Sequence, residues 1–358
     1  MSGPSWMDQL SQLFPPKPQF TEKNLPDLHG KASPRAPCDL KGTVYFITGA
    51  NTGVGKELAR MLYSKNATVY LAARSEEKAQ RAIEEIKQNS PLSSKGKLVF
   101  IQLDLADLST IKASVQRFLD RESQLHVLFN NAGVMKPAPG TVTAQGYEPQ
   151  LGVNNVGTFL LTQLLTPTLA ATARREEPGR VRVVWVSSSA AEAPPCPTGG
   201  VPLDNLDYHK PMSWFQQYCI SKAGNYLHGA EYAWRHGPGS GGDGILSVSL
   251  NPGNLDSELW RTQTFLVRKF LQWVLLHPPV FGAYTELYAG LSPELSLEEH
   301  SGGWVVPWGR PMRIRKDLQA AARTKEEGGA AWGGDFGSGA RGRSSGTFEG
   351  ALPGLIWF

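Results

Sequence analysis

Thr48-Gly49-Ala50-Asn51-Thr52-Gly53-Val54-Gly55 is the stretch that decides the fold. The apolar, β-rich run Val44-Tyr45-Phe46-Ile47 precedes it, and the helix-forming run Lys56-Glu57-Leu58-Ala59-Arg60-Met61-Leu62 follows it. Strand, glycine turn and helix in that order are the context in which a glycine pattern reads as a phosphate site rather than a plain loop. Glycines allow a tight turn and a close approach of a pyrophosphate to the backbone. The helix behind them offers free N–H groups and a partial positive charge. The spacing is G-x-x-x-G-x-G, not G-x-G-x-x-G.

Outward from that turn, short β-branched runs alternate with amphipathic helices. Strands are expected at Thr68 to Ala72, Leu98 to Gln102, Leu125 to Phe129, Val181 to Val186 and Ile245 to Leu250, with a last short one at Trp304 to Val306. Helices are expected at about Glu76 to Lys87, Leu108 to Leu119, Tyr147 to Leu169, and from about Gln217. This alternation predicts crossover units and a doubly wound, seven-stranded, mainly parallel α/β sheet with helices on both faces. Ligand sites in such a sheet lie at the carboxyl ends of the strands.

The composition narrows the function classes. The chain has 358 residues, 41% of them hydrophobic, which suffices for one large domain plus tails. Its net charge of +4 is dispersed, with no basic run beyond Arg341 to Arg343, so nucleic acid is not the expected partner. Cys38, Cys196 and Cys219 are far apart and lack metal-ligand spacing, which argues for a reducing, cytoplasmic setting and against a disulfide scaffold or a metal site. The first thirty residues carry no secretory pattern, and no stretch reads as a membrane-spanning helix.

Polar residues gather where the sheet rule puts chemistry. Asp104 follows the third strand, Asn130-Asn131-Ala132-Gly133 the fourth, Ser187-Ser188-Ser189 the fifth and Asn251-Pro252-Gly253 the sixth. Each is ordinary turn chemistry alone. Together with Tyr218 and Lys222, four apart on one helix face, they form a constellation. An ammonium beside a phenol lowers its pKa, and a phenol so tuned can exchange a proton with a carbinol near neutral pH.

With those residues in view, the chain from about Gly42 to Arg315 resembles the short-chain dehydrogenase/reductase family, in particular its retinol-dehydrogenase-like branch and fungal relatives. The motifs that carry the resemblance are T-G-x-x-x-G-x-G, N-N-A-G, the serines after the fifth strand, Y-x-x-x-K and N-P-G. The resemblance implies a Rossmann fold and an oxidoreductase acting on CH–OH groups. It implies that Tyr218 is the general acid/base and that Lys222 tunes it and holds the nicotinamide ribose. Ser188 would bond the substrate oxygen, with Ser187 the alternative register. Asn154 would hold a water behind the lysine and complete a proton relay. The cofactor site would comprise Gly49, Asn51, Thr52, Gly53, Val54 and Gly55 in the turn, with Asp104 and Leu105 by the adenine. Asn131, Ala132 and Gly133 would line the ribose, and Pro252, Gly253, Leu255 and Ser257 the nicotinamide. Relatives often pair through the helices carrying Asn154 and Tyr218, which makes a homodimer the implied assembly.

The end of the second strand bears on the cofactor. An acidic residue there would bind the 2′-OH of NAD(H). This chain has Ala72-Ala73-Arg74-Ser75 instead, and Arg74 can fork onto a 2′-phosphate while Ser75 donates to it. NADP(H) is the expected cofactor and NAD(H) the weaker alternative. A lid at about 255–281 is apolar and aromatic with interspersed Arg261, Arg268 and Lys269. It suits a hydrophobic carbonyl or alcohol, a peripheral membrane contact, or simple packing on the core. His209 and His277 receive no catalytic role. A nucleotide-binding redox sensor or scaffold without turnover is the alternative to an enzyme.

Three units follow: a proline-rich arm at 1–41, partly disordered; the catalytic domain at 42–327; and a glycine-rich tail at 328–358, expected to be disordered. Ala32 to Cys38 looks inserted, since Asp27-Leu-His-Gly-Lys31 echoes Asp39-Leu-Lys-Gly42. That insert and the tail read as translated intron or shifted frame.

Overall fold

The computed structural model describes residues 6–25, 42–238, 242–256 and 276–322. The insert at 32–38, the tail from 328, Ser257 and most of the lid lie outside the described residues.

The glycine turn joins strand β1 (Val44–Thr48) to helix α2 (Gly53–Ser64). The chain then runs β2 (Thr68–Ala73), α3 (Glu76–Gln88), β3 (Lys97–Gln102), α4 (Leu108–Leu119) and β4 (Val127–Asn130). A helical stretch follows as α5 (Pro149–Leu151), a π turn (Gly152–Gly157) and α6 (Thr158–Ala173). Next come β5 (Arg182–Val186), α7 (Trp214–His236), β6 (Leu246–Leu250), α8 (Pro279–Leu291) and α9 (Leu297–His300). Strands β7 (Gly303–Val306) and β8 (Arg310–Met312) and helix α10 (Lys316–Ala321) close the domain. Ahead of it all lies α1 (Trp6–Leu13).

The sheet order is β3-β2-β1-β4-β5-β6-β7-β8, parallel throughout except for the antiparallel β7–β8 pair. The expected doubly wound sheet is present, with eight strands instead of seven. The extra strand is three residues long and contains Pro311 at an edge, so it has no apolar alternation to betray it. The order reverses between β1 and β4, which opens the crevice where such sheets bind ligands. One core layer packs α2, α3 and α8 against the sheet, around Ile47, Leu58, Met61, Phe129 and Leu287. The other packs α4, α6 and α7 against the opposite face, around Phe46, Phe118, Leu161, Leu165 and Trp185.

Two expectations need correction. Pro149–Ala173 is long and apolar enough by length and composition to cross a membrane, contrary to the sequence reading. It is the central helix of the fold, and 56% of its most apolar window is buried in the protein. That helix is also not continuous α: Gly152–Gly157 winds as a π turn, while Pro149 sits harmlessly at the first helical position. Single π turns are often found at functional sites, and Asn154 lies in this one.

The arm is partly built in. Ser11 accepts from Arg310, which donates from Nη2 to the Ser11 carbonyl at 2.8 Å. Gln12 is buried and bridges two loops, donating to Glu192 Oε2 at 2.9 Å and accepting from Asn251 Nδ2 at 2.9 Å. Those loops follow β5 and β6, so α1 lies over the carboxyl end of the sheet.

Candidate active site

The glycine turn is held from both sides. Gly49 adopts φ +69° and donates its N–H to the Ala72 carbonyl at 2.8 Å. A β-carbon at Gly55 would come within 2.6 Å of Asn131 Nδ2. That amide is fixed, donating to the Thr48 carbonyl at 2.7 Å, while Thr48 Oγ1 accepts from the Ala132 N–H at 2.8 Å. The N-N-A-G motif therefore buttresses the turn. Thr48 itself was no candidate in the sequence reading, although it stands first in the motif. Thr52 begins α2 with extended backbone and no side-chain cap bond. The opening N–H groups of α2 are thus left to an anion. Bare glycine backbone beside an uncapped helix start fits a pyrophosphate.

At the end of β2, Arg74 is exposed and Ser75 caps α3 by accepting from the Lys78 N–H at 3.3 Å. At the end of β3, Asp104 turns one oxygen back onto the Ala106 N–H at 2.9 Å, and Leu105 is buried beside it. Pro252 and Gly253 close the crevice on the other side. Gly253 takes φ +91°, and a β-carbon there would strike the Trp308 ring at 2.6 Å. His277 and Phe281 pack on the same indole at 5.0 and 5.2 Å between centroids, which gives His277 an aromatic packing role. Leu255 bridges to His277 across the base of the lid segment. His209 is an exposed partner of Asp207.

Helix α7 carries the candidate reactive groups. Ser213 caps it in a reciprocal capping box with Gln216. Tyr218 and Lys222 follow on one face, 7% and 4% exposed. Lys222 Nζ donates to the Val186 carbonyl at 2.9 Å and lies 5.8 Å from the centre of the Tyr218 ring. Burial holds the lysine down to about 8, with Glu286 pulling it back up. Ser188 lies beside the Tyr218 phenol and helps lower its pKa, whereas Ser187 donates to the Lys222 carbonyl at 2.6 Å. Of the two serine registers, Ser188 is the one beside the phenol.

The expected lowering of the Tyr218 pKa is not what the structure gives. Burial pushes the phenol up to about 12, and Ser188 offsets this only in part. The lysine sits against the strand carbonyl rather than against the phenol oxygen, so the low-dielectric cost of a phenolate dominates.

Asn154 reaches the site but is bound more fully than expected. Its Oδ1 accepts from the Val134 N–H at 2.8 Å, and its Nδ2 donates to Val134 O and Ser221 Oγ, both at 3.0 Å. Its own carbonyl accepts from Asn225 Nδ2 at 2.6 Å. A β-carbon at Gly133 would stand 3.2 Å from Lys222 Nζ and 3.3 Å from Asn154 Oδ1, so glycine is what lets these three meet. Ser221 and Asn225 were missed by the sequence reading. Asn225 lies seven residues after Tyr218, on the same helix face, which is the signal that could have found it.

Beside Tyr218, one turn earlier on α7, Trp214 and Phe215 are 38% and 36% exposed with ring centroids 5.5 Å apart. Lys136 Nζ stands 5.3 Å over the Trp214 ring. These residues form an apolar lip with a single cation.

Comparison with known proteins agrees with this geometry. The family model described as short chain dehydrogenase matches residues 43–198. A protein of Phomopsis amygdali named as a short-chain dehydrogenase/reductase is 54% identical over 89% of this chain and 91% of its own length. The short-chain dehydrogenase/reductase bet4 of Neocamarosporium betae is 49% identical over 89% of this chain and 88% of its own. Among solved structures, the Pseudomonas aeruginosa RhlG/NADP active-site complex superposes with a TM-score of 0.58 at 19% identity, covering 75% of this chain and 95% of that one.

Proposed function

The chain belongs to the short-chain dehydrogenase/reductase family, and from that premise we propose that it is an NADP(H)-dependent reductase interconverting a hydrophobic ketone or aldehyde with its alcohol. An oxidoreductase on a nicotinamide cofactor follows from the family. The finer reading rests on this chain's own residues. Tyr218 and Lys222 one turn apart on α7, both buried, with Ser188 beside the phenol, is the observation that carries it.

A nicotinamide cofactor, when bound, would supply the hydride. The protein's part is to orient the carbonyl and deliver the proton. Ser188 and Tyr218 together offer two hydroxyls to one substrate oxygen. A phenol held protonated up to about 12 is a loaded donor in the reductive direction. Lys222 keeps a positive charge beneath the reacting centre and would hold the ribose. Asn154 ties the Val134 loop to the Ser221 hydroxyl on α7, one residue before the lysine. The site would be membrane-free or membrane-associated with the same chemistry, and we read it as cytoplasmic.

The NADP(H) preference is supported by exposed Arg74, free to fork onto a 2′-phosphate with no acid beside it on β2. A hydrophobic substrate is supported by Trp214 and Phe215 at the mouth. The test is NADPH consumption against a panel of hydrophobic aldehydes and ketones, with Tyr218→Phe alongside. Turnover that vanishes in the variant is the expected result. Tight NADPH binding with no turnover on the whole panel would replace the enzyme with a cofactor sensor.

A further inference from the structure

Glu286 stands out in the interior. It is 0% exposed, and among the described residues it is the one carboxylate with both oxygens buried and without a hydrogen-bond partner. A buried carboxyl left unbonded costs stability, so its retention needs a reason. Its position supplies one. On α8, Gly282 lies one turn before it and Gly290 one turn after. A β-carbon at Gly282 would stand 3.1 Å from Val54 Cγ2 and 3.3 Å from the Pro252 carbonyl. At Gly290 it would run into the Phe129 ring. The three positions share one face, and that face runs from the cofactor turn and the N-P-G loop at Gly282 to Phe129 on β4 at Gly290. Glu286 occupies its middle.

Lys222 approaches the same place from the other side of the sheet. Its Nζ bonds the carbonyl of Val186, the last residue of β5, and α8 packs against β5 from the opposite face. Other charges near α8 are engaged elsewhere. On α2, Lys56 pairs with Glu85, and Arg60 with Glu57. On β5, Arg182 is spent on the carbonyls of Gly179, Ala289 and Ser292. Strands β4, β6 and β7 carry no ionisable side chain. On α8 itself, Tyr284 interacts with Glu22, and Tyr288 bonds Glu294. Lys222 is what remains for Glu286.

We propose that Glu286 is a positioning residue for Lys222: a buried counter-charge, on the helix packed against β5, that keeps the lysine protonated on the alkaline side of the working range. The role rests on the reductase reading for its consequence but not for its test. Burial pushes the carboxyl up to about 8 and holds the lysine down to about 8, and each charge favours the other. As pH rises, Glu286 gives up its proton where Lys222 would otherwise lose its own, and the pair stays charged. Without the carboxylate, the ammonium is lost earlier, and with it the hold on the ribose and the positive charge beneath Tyr218.

The direct measurement is an NMR titration of the cofactor-free protein labelled at the lysine ε-carbons, with Lys222 assigned as the signal missing from Lys222→Arg. Glu286→Gln should move the Lys222 midpoint down by about one pH unit, a tenfold loss of proton affinity, and Glu286→Asp should restore much of it. A purely structural Glu286 would lower the melting temperature and leave the midpoint in place, and that outcome overturns the proposal. Should Glu286→Gln fail to fold, the reciprocal titration decides: in Lys222→Met, the labelled Glu286 carboxyl should stay protonated to higher pH, and an unmoved carboxyl overturns it equally. In turnover, the alkaline limb of NADPH-dependent reduction should move down with the lysine midpoint. Absence of turnover in the unaltered chain would fault the reductase reading alone, since the titration needs neither cofactor nor substrate.

Discussion

The two ends of the cofactor crevice are built differently. At the inner end, where β1, β4 and β5 finish, the two asparagines and the lysine are locked by protein. Asn131 is tied to Thr48, Asn154 to Val134 and Ser221, and Lys222 to Val186. At the outer end, where β2 finishes, Arg74 is exposed and Ser75 is shared with a helix cap. On the proposed function, the inner end carries the chemistry, which tolerates little misplacement. The outer end then carries the choice between cofactors, which needs only a charge within reach. Rigid placement is spent on the reacting groups, and discrimination is left to a side chain that the ligand itself can order.

Mutations should separate these ends. The largest effect is expected from Tyr218→Phe, which removes the proton donor: kcat should fall by about 10²–10⁴ while NADPH affinity, followed by fluorescence, stays within a few-fold. Near-native turnover would break the assignment of chemistry to the inner end. Arg74→Ala should weaken NADPH by about tenfold to a hundredfold and leave NADH unchanged, as expected for one charged hydrogen-bonding group. Equal losses for both cofactors would show that Arg74 stacks on adenine instead of selecting phosphate. Gly55→Ala pushes a methyl at a pinned amide and should cost about 1–3 kcal/mol in denaturant unfolding, with cofactor affinity falling alongside. Smallest, Ser187→Ala loses its bond to the Lys222 carbonyl and should cost about 1 kcal/mol of stability with kcat nearly unchanged. Ser188→Ala should do the reverse, and a swap of those two phenotypes would move the catalytic register to Ser187.

Much of this was legible because it is local. The alternation of β-branched runs with amphipathic helices named seven of the eight strands, and Glu76–Gln88 and Leu108–Leu119 form where their capping and periodicity put them. The Tyr218–Lys222 spacing puts both on one helix face whatever the rest of the fold does. What stayed hidden depends on tertiary packing. The π turn at Gly152–Gly157 is an added residue per turn that hydrophobic periodicity does not register. The direction of the Tyr218 shift depends on how deeply the phenol is buried, which a spacing rule does not supply. Glu286 looks like an ordinary helix former in Tyr284-Thr-Glu-Leu-Tyr288 until the sheet beneath it is known. Gln12 could not be read at all, because both its partners are distant in sequence.

That distance has a consequence for synthesis. The bonds of the arm span 180 residues from Gln12 to Glu192, 239 to Asn251, and 299 from Ser11 to Arg310. Helix α1 leaves the ribosome before every one of these partners and gains the last of them only once Arg310 has been made. Eight residues are too few to hold a helix in water on their own. Docking of the arm therefore comes last, after β6 and β8 have joined the sheet. A segment made before its partners becomes the latch that the assembled sheet closes.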